Sequence, residues 1–408
     1  MKFEEALQID VFDAFVNAAP FSHYMHTSTY AKFKQLEDKC TVYYTGLYEN
    51  NEVVATAIVL EYKEPLVGSY MYVPCGMCMD YSKLDLVDAF TNELVAFAKK
   101  HDAVLLKIDP NVLRVERTLI GDIVEGGINN EHITEHLKQL GFTHRGYNYA
   151  YDGSMRNRYT LIVDTDKPFE EVLKNMPKSK QNYFKRQSKM AITVTEGGKE
   201  LAKELAIYAK ELADIQHFTP HTQAYFEMLI NAYQDMGHTY VCTIDFGKQI
   251  ALYEAELQSG KYKKDLEARA HCEKDLEKTK EYQKQFGNIA VLGVAFYVAF
   301  ADKSYNLFNY INKELTMFRG TDAIHYNVIQ DMMKRGVKHY DLVGFSGLID
   351  KNDLYYGLYD YKKTLGPAYI EHIGEFDYIL KPTSNSINKG YLSFRKTLSR
   401  IKRKLQKS

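Results

Sequence analysis

The sequence predicts two α/β lobes of one type, with a charged helical arm inserted in the second. Two observations carry this. The segments KKHDAVLLKIDP (residues 99–110) and MKRGVKHYDLVG (residues 333–344) each read as the end of a helix, a turn and a buried strand, so the same pattern occurs early and late in the chain. Between them, Ile250–Phe286 contains no proline and one glycine, Gly260, and it is dense in alternating charge. A chain of 408 residues also exceeds one hydrophobic core, which fits two domains and an insertion.

The first lobe is read as residues 1–152. Thr41–Tyr48, Val53–Tyr62 and Ser69–Val73 are β-branched and aromatic runs broken by Glu-Asn-Asn, Lys-Glu-Pro and Pro-Cys-Gly, and these predict strands. Leu84, Val87, Phe90, Leu94 and Phe97 mark one face of a helix over Leu84–His101. Val104–Ile108 is a buried strand stopped by Asp109-Pro110.

The second lobe is read as residues 153–382. Helices are expected near Phe169–Met176, Glu200–Ile215 and Thr222–Met236, and Ile289–Phe300 is an apolar strand. Thr321–Arg335 is a helix with Ile324, Val328, Ile329 and Met332 on one face; Gly336 caps it and Lys338–Val343 follows as a strand. In the arm, residues 250–287, Leu252, Leu257, Leu266, Leu276 and Phe286 form an imperfect apolar seam, so a solvated helix or hairpin is favoured over a disordered insert.

Residues 383–408 form a basic C-terminal helix. Phe394, Leu398, Ile401 and Leu405 make one stripe, flanked by Arg395, Lys396, Arg400, Lys402, Arg403 and Lys404. Such a helix lies on anionic lipid or packs its stripe back on the first lobe; the sequence leaves both open.

Whole-molecule charge is −1, so any nucleic-acid or membrane contact must come from local patches. The amino terminus carries acids where a secretory signal needs a basic start, and the longest apolar stretch, Ile289–Ala301, is too short for a bilayer span of about 20 residues. Five cysteines give no disulfide framework. These features predict a cytoplasmic protein, with peripheral contact at the inner membrane surface as an option.

Phosphate-loop, dinucleotide, HExxH and GxSxG signatures are missing. Cys75-Gly-Met-Cys78 has no second pair to complete a zinc site and no helix N-terminus to activate a thiol, so two loop cysteines are favoured over a redox centre. No metal is expected. The stretch Lys174–Lys189 holds Lys174, Lys178, Lys180, Lys185, Arg186 and Lys189 without an acid, with Tyr183-Phe184 between them. A solvated helix face is the bland reading and a phosphate-binding surface the functional one.

Several segments, in order, resemble the Fem/Mur family of tRNA-dependent aminoacyltransferases that build peptidoglycan interpeptide bridges. They are HTSTYAKFK (residues 26–34), YVPCGMCMDY (residues 72–81), LKIDP (residues 106–110), RYTLIVD (residues 158–164) with KNMPKSKQNYFKRQSKMAITV after it, GVKHYDLVGFSG (residues 336–347), GLYDYKKTLG (residues 357–366) and YIEHIGEFDYILKP (residues 369–382). The departures lie at His26, Tyr30 and Cys75-Gly-Met77, and Gln181 stands where the family has an arginine. The resemblance implies two GNAT-like lobes. It also implies transfer of Ala, Ser or Gly from aminoacyl-tRNA to the stem-peptide lysine, or to the growing bridge, of lipid II rather than of UDP-MurNAc-pentapeptide. No cofactor is implied beyond the charged tRNA as co-substrate. The coenzyme A loop of GNAT enzymes is missing, which argues against acetyl-CoA.

By resemblance, Lys362 stabilises developing charge or holds the tRNA end, and Asp109 orients the acceptor. Lys34, Tyr30 and Tyr72 belong to the precursor site, and Lys185 and Arg186 meet tRNA or precursor phosphates. The alternatives are a GNAT-like N-acyltransferase, a tRNA-dependent transferase acting on proteins, and a non-enzymatic RNA- or membrane-binding adaptor.

Overall fold

The computed structural model describes residues 1–64, 68–149, 154–216 and 219–382. The basic tail predicted over 383–408 lies outside the described residues, as does the predicted boundary at 152/153. The chain forms two compact units.

The first unit comprises residues 1–160, 344–356 and the chain from Tyr369 onward. Its elements are β1 (Lys2–Glu4), α1 (Ile9–Ala18), α2 (Ser28–Asp38), β2 (Thr41–Glu49), β3 (Glu52–Glu64), β4 (Gly68–Val73), α3 (Leu84–Lys100), β5 (Ala103–Ile108), α4 (Glu131–Gln139) and β6 (Thr143–His144). The expected strands and the Leu84 helix are present within two residues. The helices α1 and α2 are additions. Phe12 and Val16 of α1 and Ala31 and Phe33 of α2 are buried, and the Thr27 hydroxyl caps α2 by accepting the Tyr30 N–H at 3.2 Å.

The second unit comprises residues 161–343 and 357–368. It contains most of β7 (Tyr159–Asp164), then α5 (Phe169–Lys174), α6 (Lys178–Gln187), β8 (Ile192–Gly197), α7 (Ala202–Gln216), α8 (Gln223–Tyr233), β9 (Gly237–Asp245), α9 (Phe246–Gln258), α10 (Leu266–Phe286), β10 (Ile289–Phe300), β11 (Lys303–Ile311), α11 (Gly320–Lys334), most of β12 (His339–Phe345) and α12 (Tyr356–Lys362). Two short strands follow, β13 (Ala368–Glu371) and β14 (Phe376–Ile379).

One plan builds both sheets. In the first, β1-β2-β3-β4-β5-β14-β6 lie side by side, with antiparallel pairing up to β4 and a parallel step from β4 to β5 through α3. In the second, β8, β9, β10 and β11 pair antiparallel, and α11 carries the chain to β12, which is parallel to β11. The repeated pattern read from the sequence is thus the same crossover in two sheets. Phe90, Leu94 and Phe97 of α3 are buried with Met71, Leu106 and Ile108 of β4 and β5 in the first core. Ile324, Val328, Ile329 and Met332 of α11 are each fully buried in the second. The left-handed Gly336 ends α11, as its position after the periodic run predicted.

The predicted lobe boundaries need correction. The second lobe does not run contiguously to residue 382: β14 pairs antiparallel with β5 through Phe376↔Ile108 and Tyr378↔Leu106, and so belongs to the first sheet. A four-residue strand carries too little periodicity to declare its partner. The arm is a pair of helices, α9 and α10, starting at Phe246 rather than at residue 250. Asp245 caps α9 by accepting from the Lys248 N–H at 3.0 Å, and Asp265 caps α10 by accepting from Ala268 at 2.9 Å. Cys272, Leu276 and Thr279 are buried along α10, whereas Leu252 and Leu266 of the expected seam are exposed, so the packed face is not the one the leucines marked. Among the described residues no helix is long and apolar enough to cross a membrane.

Candidate active site

In the first unit, chemistry gathers where β4 and β5 end side by side. Val73 pairs with Ile108, so the residues that follow each strand leave the sheet together. The β4 end turns sharply through Cys75 and Gly76, both left-handed. A Cβ on Gly76 would lie 2.5 Å from the Tyr81 hydroxyl and 2.8 Å from Pro110 Cα, so only glycine lets the two strand ends close up here. Asp109, 2% exposed, sits at the β5 end and accepts the Tyr72 hydroxyl at 2.9 Å.

Arg156 lies 3.5 Å from the same carboxylate through its Nε. It donates from Nη2 to the carbonyls of Asp109 and Pro110 at 3.1 and 3.2 Å, and from Nη1 to Asn111 Oδ1 at 3.0 Å. Burial raises the Asp109 carboxyl to about 6, against the pull of Arg156 and the Tyr72 hydrogen bond, with Glu375 adding to the rise. Asp109 therefore exchanges its proton close to neutrality.

The departures at His26 and Cys75 lie beside this strand end. His26 Nε2 is 3.3 Å from the Cys75 carbonyl oxygen, and the Cys75 sulfur is 3.3 Å from His23 Nδ1. Burial pushes the Cys75 thiol well above its ordinary value, and Cys75 and Cys78 are both buried and outside any disulfide. The Cys75 thiol is a poor nucleophile.

Tyr30 is buried on α2, edge-on to Tyr24 at 6.0 Å. Lys34, on the same helix, is half-buried, with Nζ 2.6 Å from both Glu37 and Asp38. Those hydrogen bonds outweigh burial and hold its ammonium above the ordinary lysine value.

In the second unit, Lys362 ends α12 with only 9% of its surface exposed. Its Nζ donates to the Val343 carbonyl at 3.1 Å. Burial lowers the ammonium to about 8, and the charge of Asp341 works the other way. Val343 has φ of 61°, a left-handed conformation rare for a β-branched residue.

A separate cavity of 460 Å³ is lined by α6, β11, α11 and α12. Its charged wall is Lys180, which ion-pairs with Asp322 Oδ1, while Arg319 Nη2 reaches Asp322 Oδ2 at 2.5 Å and the Tyr361 hydroxyl donates to Oδ1 at 2.9 Å. Lys180 also lies over the Tyr361 ring at 4.4 Å. Burial pulls the Lys180 ammonium below its ordinary value, while Lys180 and Arg319 keep Asp322 below the usual carboxylate range despite its own burial.

The basic stretch is therefore two-sided. Lys185 and Arg186 are exposed on α6, whereas Lys180, read from sequence among the solvated cations, faces the core. Gln181 turns its amide inward to the Met176 carbonyl at 2.7 Å.

The structure brings Tyr72 to Asp109. Arg156, Arg319, Asp322 and Asp341 were missed, and Lys180 was read only as one cation of the basic stretch: Arg156 stands in an unpatterned stretch, and the others hid in helix and strand periodicity. The Lys180 spacing was readable, since Lys180, Tyr183, Phe184 and Gln187 recur at helical intervals on one face.

The family model described as the FemAB family matches residues 7–389. The chain belongs to the FemAB family. It is 25% identical over 431 residues to the aminoacyltransferase FemA of Staphylococcus aureus strain bovine RF122 / ET3-1, a match that covers 98% of this chain and 100% of that protein. FemA of Staphylococcus aureus strain N315 matches to the same extent. The crystal structure of FemX superposes with a TM-score of 0.79 over 95% of this chain and 99% of that one at 23% identity, so the two share a fold. This FemAB member is an aminoacyltransferase of peptidoglycan bridge synthesis.

Proposed function

We propose that this FemAB protein transfers Ala, Ser or Gly from aminoacyl-tRNA to the stem-peptide lysine amine, or to the growing bridge, of lipid II. The observation that carries the reading is Lys362, a buried ammonium that donates to the Val343 carbonyl, in a family of aminoacyltransferases. The acceptor amine attacks the ester carbonyl. A C–N bond forms, negative charge grows on the carbonyl oxygen, and the C–O bond to the ribose then breaks. The proton lost by the amine ends on the departing ribose hydroxyl.

An aminoacyl ester is already activated, so the step needs alignment and a positive partner for the oxyanion. Lys362 supplies that charge at low local polarity, where it acts most strongly. Asp109 orients the acceptor in the first unit, its partly exchangeable proton set by burial and Arg156. Tyr72 holds that carboxylate, and Tyr30 and Lys34 of α2 belong to the acceptor side, with Lys34 reaching the precursor's phosphate–sugar end. The exposed Lys185 and Arg186 suit phosphates of either substrate. The cationic tail residues Arg395, Lys396, Arg400, Lys402, Arg403 and Lys404, outside the described region, favour a lipid-linked acceptor at the inner membrane face.

The test is incubation with lipid II or UDP-MurNAc-pentapeptide and tRNA charged with labelled Ala, Ser or Gly, read by mass spectrometry. The expected product gains one residue on the stem-peptide lysine or its bridge, only with intact charged tRNA. No gain with any donor on either acceptor overturns the proposal.

A further inference from the structure

Strand β12 should stay extended to Phe345, yet it kinks at Val343. A left-handed β-branched residue is strained and persists only where its surroundings over-determine it. Here the determinant is visible: Asp341 Oδ1 accepts the Val343 N–H at 2.7 Å, closing a tight side-chain turn across the intervening Leu342. The same kinked residue offers its carbonyl to the Lys362 ammonium at 3.1 Å. Asp341 and Lys362 are 8% and 9% exposed, so carboxylate, kink and ammonium form one buried chain of contacts.

We infer that Asp341 is a positioning residue for aminoacyl transfer, which aims and fixes the Lys362 ammonium through the left-handed Val343; the inference rests on the assignment of Lys362 to the transfer step. Asp341 reaches Lys362 in two ways. Its oxygen sets the carbonyl that Lys362 grips, and its charge supports the ammonium against burial. His325 of α11 also feels the Lys362 charge; burial lowers it to about 3 and keeps it neutral. Lys180 and Asp322 act on His325 in turn. Asp341 is therefore an acidic group that supports the charge of Lys362.

The experiment compares Asp341→Asn, Asp341→Ala, Val343→Gly and Lys362→Met in the full chain, with steady-state rates from pH 6 to 9 and thermal melts. Asparagine keeps the acceptor oxygen and removes the charge, so the kink survives while the ammonium loses its support. Wild-type kcat should fall as pH rises through about 8, where Lys362 loses its proton. In Asp341→Asn the fall should begin at lower pH, with KM for both substrates unchanged. Asp341→Ala removes turn and charge together, and kcat should drop about 10- to 100-fold. Val343→Gly should lower kcat and leave the pH limb in place. Wild-type kcat and pH limb in folded Asp341→Asn overturn the inference, as does a loss confined to the melting temperature. If Asp341→Ala does not fold, Asp341→Asn alone decides. Full activity in Lys362→Met instead overturns the assignment of Lys362, and that failure is read independently.

Discussion

At the end of β5 the first unit buries a carboxylate and meets it with an arginine; at the end of α12 the second buries an ammonium and meets it with a backbone carbonyl and one nearby carboxylate. Both groups lie beside the last strand of the same parallel crossover, in a sheet of the same plan. The outcome differs in charge. Asp109 rises to about 6 and exchanges its proton near neutrality, whereas Lys362 falls to about 8 and stays mostly cationic there. One architecture, used twice, thus yields a proton-exchanging acid and a poised cation, and the difference lies in which partner the surrounding loop supplies.

The comparison breaks most visibly where charge is buried in a full pair. Lys180→Met leaves Asp322 buried with Arg319 and the Tyr361 hydroxyl, and should cost about 3–5 kcal/mol in denaturant unfolding. The double variant Lys180→Met with Asp322→Leu should recover much of that loss; equal instability of single and double variants would mean packing, not charge, holds this wall. Lys362→Met is the opposite case. It removes an ammonium that burial already penalises, so the melting temperature should hold or rise while transfer falls by about 100- to 1,000-fold. A stability loss with full activity would reverse the contrast between the units.

Asp109 sharpens the comparison through pH. Its folded value lies above the ordinary carboxyl value of 3.8, so between about 4 and 6 the native state holds a proton that the unfolded state has released. Stability contributed by this group therefore falls as pH rises through that window. Asp109→Asn should flatten the dependence in unfolding curves taken from pH 4 to 7; an unchanged slope would assign it elsewhere. The smallest effect is expected at Lys34→Ala, where a half-buried intrahelical ion pair is worth about 1 kcal/mol or less. If Lys34 also grips the acceptor, KM for the lipid-linked precursor should rise while stability barely moves.

Much of this was legible because periodicity reports burial. The helices α3 and α11, the strands around them and the doubled crossover follow from which positions are apolar. Helix α2 was readable only as a family segment, since its sequence STYAKFKQLED mixes polar and apolar residues without a clean stripe. The positions of Asp109 and Lys362 came from resemblance, and their surroundings could not be read. Arg156 reaches Asp109 across 47 residues, and Val343 owes its conformation to an oxygen two residues back and its role to a lysine 19 residues on. Such contacts depend on three-dimensional placement and leave no local pattern.

The placement of β14 has a consequence for how the chain comes to be folded. The first unit holds residues 1–160, but β5 keeps an open edge and β6 has no neighbour until Phe376–Ile379 arrive between them. On a ribosome, the second unit's sheet from β8 to β12 is already made by then. Long-range pairing of this kind is slow to form, and an open strand edge invites wrong partners meanwhile. The first sheet is begun first and completed last: residues 109–375 are made between β5 and the strand that closes its open edge.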